Sequence, residues 1–258
     1  MLGRRRRAGL SRARYTRRVR RLLTLFLVGS GLLLACGGND PGASDTTSAR
    51  SGGGRALSSS PRQGVATFYD ADGSGNCSFD ASPGDLDVTA MAMPEYDASA
   101  SCGGCLLVKG PKGEVTVRVT DSCPGCEGSG INLDLSAQAF AKIADPKEGR
   151  IDITYQAVAC ATAGNIAYHF KDGSSKYWTA IQIRNHRLPV AKVEYKKGDA
   201  WVAMDRADYN YFIESSGVGD QPNGLSLRVT ATDGQVIEDT LAGGVQAERT
   251  VPGTKQFN

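Results

Sequence analysis

The residues best suited to chemistry lie in one stretch, VTVRVTDSCPGCEGSGINLDLSAQAF, from Val115 to Phe140. It carries two carboxylates, Asp121 and Asp134, the second set between Leu133 and Leu135. A carboxyl group held at the end of a buried strand among leucines can have its pKa lifted, which suits it to holding a proton. The neighbouring elements must place these groups. Val115, Val117 and Val119 alternate with Thr116, Arg118 and Thr120, the period of a half-buried strand ending on Asp121. A Cys-Pro-Gly-Cys turn and a glycine-rich loop follow. Ser136 then offers an N-cap to AQAFAKIA, whose Phe140 and Ile143 share one helical face.

The chain has seven cysteines. Setting aside Cys36 leaves Cys77, Cys102, Cys105, Cys123, Cys126 and Cys160, an even set that points to disulfides in an exported chain. The two Cys-x-x-Cys pairs also have the spacing of a zinc ribbon, but zinc would strand Cys77 and Cys160. A thioredoxin-like role for Cys-Pro-Gly-Cys lacks the surrounding strand and helix pattern. Neither a metal nor another cofactor is expected, and His169 and His186 are too isolated for a metal site or a triad.

Export is read from the N-terminus. Ten arginines and no acid precede an apolar run of 14 residues, Leu22 to Ala35, too short to span a bilayer. Leu33-Leu34-Ala35-Cys36 resembles the lipobox of bacterial lipoproteins, which predicts acylation at Cys36. An ordinary secretory signal is the alternative, and Arg17-Arg18 makes only a weak twin-arginine match. Residues 1–36 are thus expected to be the signal and residues 37–63, rich in Gly and Ser, a flexible tether. The formal charge of +3 comes from the leader; the remainder has 20 basic and 27 acidic residues. This balance gives no footprint for nucleic acid.

Residues 64–160 read as short strands with one good helix. VATFY, LDVTAMAM, LLV paired with VTVRV across Gly110-Pro111-Lys112-Gly113, and IDITY predict a small closed barrel. Residues 161–258 alternate strands such as AIQIRN and SLRVTA with Asp-Gly and Asn-Gly turns, which predicts an Ig-like sandwich. The fold class is therefore mainly β.

ATFY, SCGGC, VTDSCPGC, LDLS and AFAKIA, followed by GSSKYWTAIQIRNHRLPVAKVEY, DYNYF and VPGTKQF, resemble the two-domain bacterial expansins. The resemblance covers Gly64 to Phe257. It implies a six-stranded double-psi β-barrel followed by a cellulose-binding sandwich. It also implies the pairs Cys77–Cys102, Cys105–Cys160 and Cys123–Cys126. Asp134 matches the aspartate on which expansin activity depends, and Asp121 and Thr67 match the polysaccharide-facing groove. Tyr69 stands where some bacterial members have threonine, and Cys123 where some have tyrosine, so one aromatic contact is absent.

In the second domain, Tyr177, Trp178 and Tyr209 match the family's sugar-stacking platform, and Lys171 matches a basic residue beside it. Adjacent side chains on a regular strand point to opposite faces, so Tyr177 and Trp178 need a bend to face one sugar chain. Trp201 is expected in the sandwich core. Inverting glycan hydrolysis needs a second carboxylate opposite the acid. In barrel endoglucanases the base lies four residues after the Thr67 equivalent, here Ala71, with Asp70 and Asp72 on either side. The resemblance therefore implies non-hydrolytic loosening of cell walls by a monomer that binds cellulose and associated polysaccharides. The alternatives are an endoglucanase, a peptidoglycan lytic transglycosylase and a carbohydrate-binding adhesin. Any membrane contact would be through the lipid at Cys36 alone.

Overall fold

A computed structural model of the chain describes residues 57–258. The expected signal segment, the lipidation at Cys36 and the tether as far as residue 56 lie outside the described residues. The last part of the expected tether belongs to the fold. Leu57 packs against the barrel core, and the Ser58 carbonyl accepts the Ala157 N–H at 2.7 Å. The first strand, β1 (Arg62–Tyr69), starts two residues before Gly64. Its opening is held by backbone pairing to the last barrel strand and by Arg62, whose guanidinium meets buried Glu95 at 2.8 Å. Gly, Ser and Arg carry no apolar alternation, so composition could not reveal this pairing.

The barrel continues with β2 (Val88–Ala92), the short helix α1 (Met93–Tyr96), β3 (Cys105–Gly110), β4 (Gly113–Cys123), β5 (Leu133–Ser136), α2 (Ala137–Ile143) and β6 (Ile151–Val158). The strands close in the order β1-β5-β2-β4-β3-β6. Two neighbouring pairs, β1 with β5 and β2 with β4, are parallel, so hairpins alone cannot build this barrel. Alternating valines and leucines point inward: Val115, Val117, Val119, Leu133 and Leu135 are all in the core with Phe140 and Ile143 of α2. Ser136 caps α2 by accepting the Ala139 N–H at 3.0 Å. The three disulfides are Cys77–Cys102, Cys105–Cys160 and Cys123–Cys126, the pairs the family resemblance implies.

Nine strands follow: β7 (Ala167–Phe170), β8 (Thr179–Arg184), β9 (Val190–Lys197), β10 (Ala200–Ala203), β11 (Asp205–Arg206), β12 (Phe212–Glu214), β13 (Leu225–Ala231), β14 (Val236–Leu241) and β15 (Thr250–Pro252). They form a four-stranded sheet, β10-β9-β13-β14, and a five-stranded sheet, β11-β12-β8-β7-β15. Both sheets feed one core, which includes Tyr168, Phe170, Ile181, Ile183, Val193, Leu227 and Val229. Trp201 lies outside that core. It stands half-buried on edge strand β10, its ring covered by the Arg228 guanidinium at 4.7 Å. An indole under a cation satisfies its apolar face without full burial.

The outer face of the five-stranded sheet meets the barrel. Gln182 of β8 is fully buried and donates to the carbonyls of Cys77 and Ser78 at 2.8 and 3.2 Å. Arg184 pairs with Asp80 at 2.6 Å.

Candidate functional site

Strand register builds the first half of the site. Thr67 of β1 pairs with Asp134 of β5, Asp134 with Ala90 of β2, and Ala90 with Asp121 of β4. In-register residues on neighbouring strands share a face, so these four form one row on the outside of the barrel. Thr67 and Asp134 reach that face by simple alternation, since Ala66, Leu133 and Leu135 point into the core. Asp121 reaches it by a defect. Val115, Val117 and Val119 face inward, so a regular strand would send Asp121 inward too. The register shifts between Thr89 and Ala90, which leaves Thr120 as the extra residue and re-aims Asp121 outward.

The two carboxylates then differ in environment. Asp134 is half-buried; burial raises its pKa, and the hydrogen bond from Thr67 partly opposes that rise. Thr67 Oγ1 donates to Asp134 Oδ1 at 2.5 Å. Asp121 instead holds a loop: its Oδ1 accepts the N–H of Asn76 at 2.7 Å and that of Ser122 at 2.8 Å. Gly75 permits this approach, because a Cβ there would fall 2.5 Å from the Asp121 side chain. The backbones of Asp134 and Asp121 are two strand spacings apart, about 9.5 Å. Ala90, with its single methyl group, is the only residue between them in the row.

Tyr69, two residues after Thr67 on β1, has a buried hydroxyl beside the buried hydroxyl of Thr120. Burial and the nearby charges of Asp121 and Asp134 push the Tyr69 phenol up to about 12, so it stays protonated as a donor. Ala71 is buried, Asp70 is exposed, and Asp72 is tied to the next turn. Asp72 Oδ1 accepts from the N–H and Oγ of Ser74 at 2.9 and 2.6 Å, which lowers its pKa. The sulfurs of Cys123 and Cys126 lie within 4.8 Å of an Asp134 oxygen, but they are bonded to each other and offer no thiolate to a metal.

The second half of the site is aromatic. Tyr177 lies in a turn closed by Ser175 N–H donating to the Trp178 carbonyl at 2.7 Å, just before β8. Such a turn interrupts the regular alternation of a strand. Tyr177 is 73% exposed and Trp178 half-buried. Gly217 presses against the turn: a Cβ there would stand 2.1 Å from the Lys176 carbonyl oxygen. Tyr209 sits on the loop between β11 and β12, with Tyr211 5.9 Å away between ring centroids. The β8–β12 register runs Glu214 to Thr179 and Phe212 to Ile181, so Tyr211 falls level with Gln182. Trp178 stands in the turn directly before β8, on the N-terminal side of Gln182. Lys171, directly after β7, places its ammonium 5.6 Å from the Tyr211 ring.

The barrel matches a family model described as lytic transglycolase over residues 62–155. Over 205 residues the chain is 40% identical to Expansin-YoaJ of Bacillus subtilis (strain 168), covering 76% of this chain and 86% of that protein. The chain belongs to the expansin family. This expansin is also 30% identical over 206 residues to Expansin-like protein 1 of Dictyostelium discoideum, covering 75% of this chain and 70% of that one. Among solved structures it is similar to the apo expansin of Clavibacter michiganensis, at 33% identity and a TM-score of 0.68. That match covers 77% of this expansin and 98% of the other. A mutant of the Clavibacter michiganensis expansin in complex with cellohexaose matches at 33% identity with a TM-score of 0.69.

Sequence reasoning did not single out Tyr211, Asn76, Tyr96 or the bulge at Thr120. For Tyr211 a signal existed, since DYNYF repeats tyrosine at a spacing of two. The bulge has none: Val-Thr-Asp reads as uninterrupted alternation, and only the shifted pairing with β2 reveals it.

Proposed function

We propose that this expansin loosens cell walls without cutting them, by binding cellulose and displacing non-covalent contacts between wall polysaccharides. The observation that carries this reading is the solitary character of Asp134. It is a half-buried carboxyl of raised pKa, hydrogen-bonded by Thr67, with Ala90 beside it in the row. Ala71 stands where related endoglucanases carry a base, Asp72 is engaged by Ser74, and Asp121 commits an oxygen to two backbone amides. An acid whose neighbouring carboxylates are engaged by backbone amides and a serine is better suited to donating a hydrogen bond to a glycan than to activating water for turnover.

In this reading Asp134 and Thr67 form the polar floor of the barrel groove, with the Tyr69 hydroxyl buried beneath it, and Asp121 shapes its rim. Tyr177, Trp178 and Tyr209 stack on the apolar faces of successive sugars, and Lys171 contributes polar contacts at the edge of that strip. The protein acts as an exported monomer at the wall, held at the bacterial surface through lipid on Cys36. The cellohexaose complex of the Clavibacter michiganensis expansin supports cellulose as the glycan.

The test compares extension of a clamped wall or cellulose composite with reducing-end release from the same material. Extension without new reducing ends, lost in Asp134→Asn, is expected. The match to the lytic transglycolase family favours one competitor, cleavage of peptidoglycan at the same acid. Soluble muropeptides released by the parent protein and not by Asp134→Asn would establish that competitor instead. Unchanged extension by Asp134→Asn would reduce the protein to a carbohydrate-binding adhesin.

A further inference from the structure

The loop that carries Tyr209 is held from outside its own domain. Its residues 207–210 form a tight turn in which Ala207 N–H donates to the Tyr211 carbonyl at 2.8 Å and Asn210 N–H to the Ala207 carbonyl at 3.2 Å. Asn210 adopts φ of +65°, the left-handed region that asparagine tolerates. The residues on either side of Tyr209 are both bonded to the barrel. The Asp208 carbonyl accepts from Tyr96 Oη at 2.8 Å and from Asn76 Nδ2 at 3.2 Å. Asn210 Nδ2 donates to the Cys77 carbonyl at 3.1 Å, and Ser99 Oγ donates to the Ala207 carbonyl at 2.8 Å.

The barrel side of this clamp is itself rigid. Tyr96 is fully buried, and Asn76 Nδ2 also lies 3.0 Å from its hydroxyl. The Asn76 N–H is the one held by Asp121 at 2.7 Å, and Cys77 is fixed by its disulfide to Cys102. An unbroken line of contacts therefore runs from the acidic row through Asp121 and Asn76 to Asp208 and Tyr209.

We propose that Asn76 and Tyr96 are positioning residues for glycan binding, setting the place of the Tyr209 ring from the barrel side without touching the sugar themselves. The proposal rests on the reading of Tyr209 as a sugar-stacking residue. Asp121, one step further along the line, acts through Asn76 on the aromatic strip as well as on the groove. The geometry makes the strip a joint product of both halves of the molecule.

The experiment is a set of depletion isotherms on microcrystalline cellulose with the full chain. It uses Asn76→Ala, the milder Tyr96→Phe, their combination, Tyr209→Ala, and the triple variant. Losing two such hydrogen bonds is expected to weaken binding by about three- to tenfold in the Asn76→Ala/Tyr96→Phe protein. The same pair of changes should have no further effect once Tyr209 is alanine, a non-additivity that general loss of stability would not produce. The Tyr209 ring resonances, observed by NMR without ligand, should shift or broaden in the pair variant. Multiplicative losses in the triple variant would overturn the proposal. So would parent-like affinity of the pair variant beside weak binding by Tyr209→Ala. Should Tyr209→Ala bind like the parent, the stacking reading itself falls. The ring resonances then decide the clamp alone, with an unchanged Tyr209 spectrum overturning it.

Discussion

Burial first, and then a single hydroxyl, set how easily Asp134 gives up its proton. Burial favours the neutral acid, and Thr67 Oγ1, by donating to Oδ1, favours the carboxylate. Thr67→Val removes only the second influence, so the Asp134 pKa should rise further. If the protonated acid is the working form, extension activity falls as pH climbs through the Asp134 pKa, and the Thr67→Val profile moves toward alkaline pH. A profile moved toward acid, measured as creep rate against pH, would contradict the assigned donor. The same sign governs stability. A folded pKa above 3.8 means the folded state binds the proton more tightly, so ionising Asp134 costs stability as pH rises past that value. Asp134→Asn should therefore gain on the parent in thermal melts between acid and neutral pH.

At this scale much of the site was legible. A charged residue locked between two leucines, Leu133-Asp134-Leu135, announces a strand with one polar face, whereas Thr67 was reached only through the family resemblance. The environment of Asp121 was not legible. Its outward aim depends on the Thr120 bulge and its hydrogen bonds on the Asn76 loop, 45 residues earlier in the chain. Neither leaves a mark on the local pattern.

Among the elements, β5 and α2 share a residue on which both depend. Ser136 ends β5 and caps α2, accepting the Ala139 N–H while its own hydroxyl donates to the Leu86 carbonyl. Ser136→Ala should cost about 1–2 kcal/mol in chemical denaturation, toward the upper end because the side chain is buried and two hydrogen bonds are lost. The loss should also loosen Asp134, two residues earlier. Unchanged stability would mean that helix packing through Phe140 and Ile143, rather than the cap, fixes this corner. The sequence signals here were strong: serine before an apolar helical period, alternation in β4, and Asp-Gly or Asn-Gly at turns. They were weak where backbone pairing acts without apolar side chains, at Arg62 and Gln63. They misled at Trp201, where a large aromatic flanked by alanine and valine looks like core but lies under Arg228.

Over the whole molecule, charge is divided unevenly. Residues 62–160 carry 7 basic and 14 acidic side chains, whereas residues 161–258 carry 11 of each. Acidic wall polymers should be repelled by the barrel and neutral cellulose should not. Binding to an anionic polysaccharide is accordingly expected to strengthen as salt is raised from 10 to 200 mM, on the order of a Debye length falling from 30 to 7 Å. Retention on pure cellulose should stay level over that range. Stronger retention on the anionic polymer at low salt would mean that the neutral sandwich, with Lys171 and Lys176 near its aromatic rings, dominates the encounter.

The parallel pairing of β1 with β5 brings together two segments whose key residues, Thr67 and Asp134, are 67 positions apart. No local hairpin can assemble them. A growing polypeptide therefore carries the Thr67 hydroxyl without its acid partner until the strand ending at Ser136 has been made and seated. Any partial product ending before that point lacks the acid–hydroxyl pair and, since the sandwich strands begin only at Ala167, the aromatic rings as well.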